Sequence, residues 1–237
     1  MNMHVSATST TLDAALDAAK DASEFPARVS SWRPTTSAYR SAGKRVLDVV
    51  LVLLMAPPAL FIVTLLALFI MLDGKSAFYR QRRVGKNGEE FSMLKLRSMV
   101  PNADKALEAY LASNPAARAE WDRDQKLTND PRITRFGRFI RRTSLDELPQ
   151  LLNVLTGDMS LVGPRPMMPC QQVIYPGTEY YAMRPGITGY WQTSVRNESS
   201  FRDRAKFDAA YFHDLSLVTD VKLLFATVGV VMGATGR

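Results

Sequence analysis

From Val46 to Leu72 the chain reads VLDVVLVLLMAPPALFIVTLLALFIML, without a charge after Asp48. As a continuous helix the uncharged part would extend roughly 36 Å at about 1.5 Å per residue, enough for a bilayer core. One transmembrane helix is therefore the default reading. Pro57 and Pro58 count against it: they remove backbone donors and crowd the preceding turn, so a kink or break is expected near Leu54 to Ala56. Neither half would cross alone. The flanks are equally basic, with Arg28, Arg33, Arg40, Lys44 and Arg45 before the run and Lys75, Arg80, Arg82, Arg83 and Lys86 after it. Such balance gives the positive-inside rule nothing to orient. A hairpin dipping into one leaflet and a kinked span both remain open, with Asp48 beside Lys44 and Arg45 at headgroup level.

Upstream, residues 1–43 are rich in Ala, Ser and Thr and read as a largely disordered arm, TLDAALDAAKDA being a short helix candidate. The arm lacks the basic start and apolar centre of a secretory signal, so none is expected. The 237 residues allow one large domain or two small ones, and a 46% apolar share suffices for a core. Cys170 is the only cysteine, which excludes an internal disulfide, and with His4 and His213 it makes no zinc cluster. A net charge of +7 and a pI near 9.6 imply attraction to polyanions: nucleic acid, lipid headgroups or phosphorylated substrates.

After the apolar run, alternation in FYRQRRVG and FSMLKLRSM around Lys86-Asn87-Gly88 predicts a β-hairpin with an Asn-Gly turn. Asn102 to Lys126 reads as a helical stretch interrupted at Asn114-Pro115. In PRITRFGRFIRR, arginines at 132, 135, 138, 141 and 142 alternate with Ile133, Phe136, Phe139 and Ile140 at helical spacing. This pattern suits a solvated face or a helix in the membrane interface, and the lipid-seeking segment favours the second. No nucleic-acid partner is expected, since no helix-turn-helix, zinc or RNA-recognition pattern accompanies the charge.

The next stretch, RRTSLDELPQLLNVLTGDMSLVGPRP from Arg141 to Pro166, sets Asp146 and Glu147 between basic residues and a Pro-Arg-Pro turn. Paired carboxylates with arginines nearby are what a protein needs to hold a divalent cation and handle a phosphate. The plainer reading is a capping box from Ser144 to Glu147 at the start of a helix beginning at Ser144 or slightly later. In either case the acids lie near a helix start, Gly157 ends the helix, and Arg165 is fixed between two prolines for a two-pronged grip on phosphate. RPGITGYWQ reads as a Gly/Pro loop, and the tail from Phe207 as helical. Repeats and Gly-rich phosphate loops are lacking.

Taken in order, KRVLD with the proline-broken run, YRQRRVG, KLRSM, DPRITRFGRFIRRTSLDELPQLLNVLTGDMSLVGPRP and RPGITGYWQ resemble the bacterial sugar transferases, the monotopic phosphoglycosyl transferases, over about residues 44–237. The resemblance implies an α+β, mainly helical fold. A compact cytoplasmic domain, residues 74–237, would sit on a re-entrant helix, residues 44–73, with Pro57 and Pro58 as the membrane break and amphipathic helices at the interface. It implies Asp146 as nucleophile, Glu147 as partner carboxylate helping to hold Mg²⁺, Arg141 near the substrate phosphates, and Pro164 and Arg165 in the turn that contacts a nucleotide sugar. The implied reaction moves a hexose-1-phosphate, galactose or glucose, from a UDP-sugar to undecaprenyl phosphate through an aspartyl-phosphosugar. It would start exopolysaccharide repeat units at the cytoplasmic face of a bacterial inner membrane. The family's usual break is Ser-Pro, whereas Ala56-Pro57-Pro58 stands here. Two other expectations stay open from the residues: a non-catalytic membrane scaffold binding anionic lipid or a partner, and a one-step transferase using Asp146 as base and metal ligand. Sugar identity and oligomeric state are not legible.

Overall fold

The apolar run forms one helix, α1 (Lys44–Ile70), entered through a π-helical turn at Tyr39–Gly43. The computed structural model describes residues 38–73, 75–124, 127–194 and 201–232, so the arm expected over residues 1–43 lies outside the described residues as far as residue 37. Of the kink or break expected at Pro57 and Pro58, the break is not found: both prolines lie inside the helix. Each proline deletes one hydrogen bond, to the carbonyls of Leu53 and Leu54, and adjacency confines the damage to one turn of a helix roughly 40 Å long at about 1.5 Å per residue. Between its ends α1 exposes Leu53, Leu54, Leu60, Phe61 and Leu65.

Both ends of α1 are held by the folded body. At the start, Lys44 Nζ donates to Asp220 Oδ2 (2.7 Å), the Arg45 guanidinium donates to the carbonyls of Val154 and Leu155, and Asp48 accepts from the Leu161 N–H (3.0 Å). Val52 is fully buried in the main core with Met93, Val154 and Leu161. At the far end Ala67 and Ile70 pack with Ala77, Leu96 and Ile140, and the Phe69 ring lies 4.4 Å from that of Phe136.

The predicted hairpin is present as β1 (Phe78–Val84) and β2 (Glu90–Leu96), antiparallel. Its turn needs left-handed backbone, which Asn87 (φ 59°) and Gly88 (φ 80°) supply. The register pairs Tyr79 with Lys95, Gln81 with Met93 and Arg83 with Phe91, which sets these six side chains on one face. Next come α2 (Ala103–Ser113) and α3 (Pro115–Asp124), separated at the expected Asn114; residues 125–126, the end of that predicted stretch, lie outside the described residues.

Helix α4 (Arg135–Arg142) begins where the Thr134 hydroxyl accepts from the Gly137 N–H (2.8 Å). Its apolar side is divided between the body and the surface. Ile140 is buried, Phe136 leans on Phe69, and only Phe139 is exposed, beside Arg135, Arg138 and Arg142. Helix α5 (Gln150–Thr156) ends at Gly157 with φ 94°, as anticipated.

RPGITGYWQ is more ordered than a loop. It holds β4 (Gly186–Thr188), parallel to β3 (Ser160–Val162), and a helical turn, α6 (Tyr190–Thr193). A Cβ on Gly186 would come within 2.1 Å of the Gly163 nitrogen and 2.5 Å of the Thr188 oxygen, so only glycine permits this approach. The chain closes with α7 (Arg204–Asp214) and α8 (Leu217–Met232), helical as expected, Leu223 joining the main core. Mainly helical, with two small two-stranded sheets among the described residues, the architecture agrees with the α+β expectation.

Candidate active site

Asp146 and Glu147 sit on a single 3-10 turn, Leu145–Glu147, between α4 and α5. Ser144 before it adopts left-handed backbone (φ 57°) and its side chain caps nothing, so the capping-box reading does not hold. What fixes the turn is packing: Ile140 and Leu145 lie against Leu96 of β2 and the far end of α1. This brings the carboxylates against the hairpin. Lys95 Nζ reaches Glu147 Oε1 at 2.7 Å across 52 positions of sequence.

A narrow cleft opens beside the pair, lined by Glu147, Lys95, Arg83, Arg165, Gln150 and Ile187 among others. Asp146 is not among the lining residues and has 5% of its surface exposed. Burial raises its carboxyl to about 6; Lys95 opposes the rise, Glu147 adds to it, and Arg141 and Arg165 oppose it. A carboxylate so disfavoured by its surroundings is one that a cation or a bond to phosphorus would relieve.

The other sequence candidates separate into two kinds. Arg165 lines the cleft, with its guanidinium 5.7 Å from the Trp191 ring centroid. Arg141 is largely buried within electrostatic reach of Asp146, Asp130 and Glu147, and its Nη1 has no hydrogen-bond partner. Pro164 does not line the cleft: it is buried, and its carbonyl accepts from the Gly186 N–H (2.8 Å), so it braces the turn that presents Arg165.

Several site residues escaped the sequence reading. Lys95 and Arg83 come from one face of the hairpin, and period-two alternation through KLRSM and QRRVG is the signal that could have paired them. Arg83 donates from Nη1 to the Pro166 carbonyl (3.0 Å) and from Nη2 to Gln81 (2.6 Å), while its Nε is buried without a partner. Burial lowers its pKa to about 10, with Arg165 and Arg204 contributing. Gln150 is buried at the start of α5, with Nε2 unpartnered.

A divalent cation fits the donor set. Mg²⁺ commonly takes one or two protein carboxylates and completes its shell with substrate phosphate and water. Asp146 and Glu147 form such a pair, and the like charge of Glu147 already disfavours ionised Asp146. Among the described residues, no group of three or more His, Cys, Asp or Glu side chains could hold the ion alone.

The profile of the family described as bacterial sugar transferase matches residues 39–234. A UDP-galactose-lipid carrier transferase of Erwinia amylovora is 52% identical over 187 residues, covering 75% of this chain and 39% of that protein. An undecaprenyl-phosphate galactose phosphotransferase of Salmonella typhimurium is 47% identical over 198 residues, 81% of this chain and 41% of that protein. The exopolysaccharide production protein ExoY of Rhizobium meliloti is 43% identical over 210 residues, 85% and 92% of the respective chains. The chain thus spans about two fifths of the first two relatives and most of the third.

Proposed function

The chain belongs to the bacterial sugar transferase family, and on that premise we propose that it moves a sugar phosphate from a UDP-sugar to a polyprenyl phosphate, undecaprenyl phosphate, by two displacements on Asp146. The observation that carries this reading is a buried carboxylate, raised to about 6, within electrostatic reach of Lys95, Glu147 and Arg165, which line a cleft together with Arg83. Cationic side chains there would neutralise the donor diphosphate, allowing the Asp146 carboxylate to approach its β-phosphorus. The Asp146–phosphorus bond forms as the bond to UMP breaks, leaving an aspartyl phosphosugar. The lipid phosphate then attacks that phosphorus, and Asp146 leaves as a carboxylate. Mg²⁺, when bound by Asp146 and Glu147, would supply further neutralisation of phosphate charge. Lys95 holds Glu147 in place, and Gln150 borders the cleft from the start of α5.

The arrangement of α1 supports attachment to one side of a bilayer. A helix that crossed would carry its Lys44 and Ile70 ends to opposite faces, yet both ends pack on the same body. A helix that enters and leaves the cytoplasmic leaflet, its exposed apolar middle in lipid, fits this packing. The galactose-, glucose- and exopolysaccharide-related names among relatives favour a galactose- or glucose-containing donor and a role in starting exopolysaccharide repeat units.

The test is exchange of labelled UMP into UDP-sugar without lipid acceptor, across UDP-galactose and UDP-glucose. Label entering one donor is expected. Exchange into neither would overturn the covalent route, because a one-step transferase needs the acceptor and a scaffold reacts with nothing.

Ionisation of Asp146 gives a second expectation. The attacking form is the carboxylate, and the folded pKa is raised, so kcat/KM for the UDP-sugar rises with pH and levels off above about 6. A pH–rate profile checks this; a limb at the ordinary carboxylate value near 4 would contradict it.

A further inference from the structure

Two pieces of the site come from distant parts of the chain: Lys95 from β2, and Glu147 from the turn that precedes α5. Met93 of β2 and Val154 of α5 share the main core, but apolar packing is non-directional and sets no register by itself. Register matters here. Side chains on a strand alternate faces, so a slip of one residue turns Lys95 away from Glu147, and a slip of two carries it about 7 Å along the strand.

Asn153 supplies the missing constraint. It sits on α5, 7% exposed, with its carboxamide against the edge of β2 that β1 leaves open. Its Oδ1 accepts from the Leu94 N–H (2.9 Å) and its Nδ2 donates to the Ser92 carbonyl (2.9 Å), as a neighbouring strand would. Those two backbone groups flank Met93, and Lys95 follows at once. Nδ2 also donates to Asp158 Oδ2 (3.2 Å), which the Thr156 hydroxyl holds at 2.8 Å. Aspartate lacks the donor, leucine lacks both groups, and glutamine is longer by one carbon.

We infer that Asn153 is a positioning residue for sugar-phosphate transfer: it pins β2 to α5 in the one register that sets Lys95 against Glu147 at the cleft. The inference rests on the reading of that cleft as the active site. Asn153 is not among the residues lining the cleft, so it acts through Lys95 and not on substrate.

Two experiments on full-length protein in detergent decide it. The first labels lysines with an amine-acylating reagent and follows Lys95 and Lys44 by mass spectrometry. Each is held by a carboxylate at 2.7 Å, but Lys44 lies at a different junction, on Asp220. In Asn153→Leu, Lys95 should label about tenfold faster while Lys44 keeps its wild-type rate, because the two bonds lost hold only β2. Acceleration at both lysines, or at neither, overturns the inference. The second experiment is a mutant cycle on UMP release with lipid acceptor present. Asn153→Leu should lower kcat/KM about tenfold and Lys95→Met about a hundredfold, and the double variant should fall no further than Lys95→Met. Losses that multiply to about a thousandfold, or an Asn153→Leu rate within about twofold of wild type, overturn it. If Asn153→Leu fails to fold by thermal melt, Asn153→Ala carries both arms, since its smaller side chain admits water to the two stranded backbone groups. The functional reading fails separately: wild-type protein that releases no UMP from any donor sinks it, and the labelling still decides the pin.

Discussion

Asp146→Asn protein is expected to lose at least about a thousandfold in turnover and to form no phosphosugar adduct, while melting no lower than wild type. The two halves of this result come from the same cause. The substitution deletes the attacking oxygen while keeping shape, so chemistry stops. Stability moves the other way because the folded pKa of Asp146 is raised above its unfolded value. Between about 4 and 6 the folded state binds the proton more tightly, so stability falls as pH rises through that window, and the penalty is complete above it. At neutral pH a neutral Asn removes the penalty. Adduct trapping with labelled UDP-sugar, alongside a thermal melt, checks both. Surviving adduct would move the nucleophile elsewhere, and a large drop in Tm would make Asp146 a structural acid.

Asp220→Ala should give the largest loss of stability, about 3 kcal/mol, or on the order of 10 °C in Tm for a domain of this size. Asp220 is buried in α8 and accepts from the Tyr39 hydroxyl (2.5 Å), the Tyr211 hydroxyl (2.6 Å) and Lys44 Nζ (2.7 Å). Truncation strands a mostly buried ammonium and two hydroxyls at the point where α1 meets the body. Melts of both proteins in one fixed detergent measure the difference. A shift within a degree or two would show that water replaces the carboxylate without cost.

Local chemistry made much of this structure legible in the sequence. Asn87-Gly88 announced the hairpin, Asn114-Pro115 the break between α2 and α3, and Gly157 the end of α5. What stayed hidden depends on distant partners. Lys95 becomes a site residue only when β2 meets the turn 52 positions later. Strand β4 forms only because Gly163 and Gly186 can touch, a property of neither neighbourhood alone. Helix α1 continues through both prolines, and its two ends are held by partners far away in sequence that no local rule could supply.

The double clasp on α1 makes amphiphile a ligand of the native state. Lipid or detergent covering Leu53, Leu60 and Phe61 does so beside an assembled domain, and unfolding dissolves the surface it binds. Heat resistance should therefore climb with the supply of amphiphile. Stripping it away leaves a greasy stripe on an otherwise intact protein, whose readiest remaining cover is another copy, so delipidation leads towards clumping sooner than towards a loosened chain.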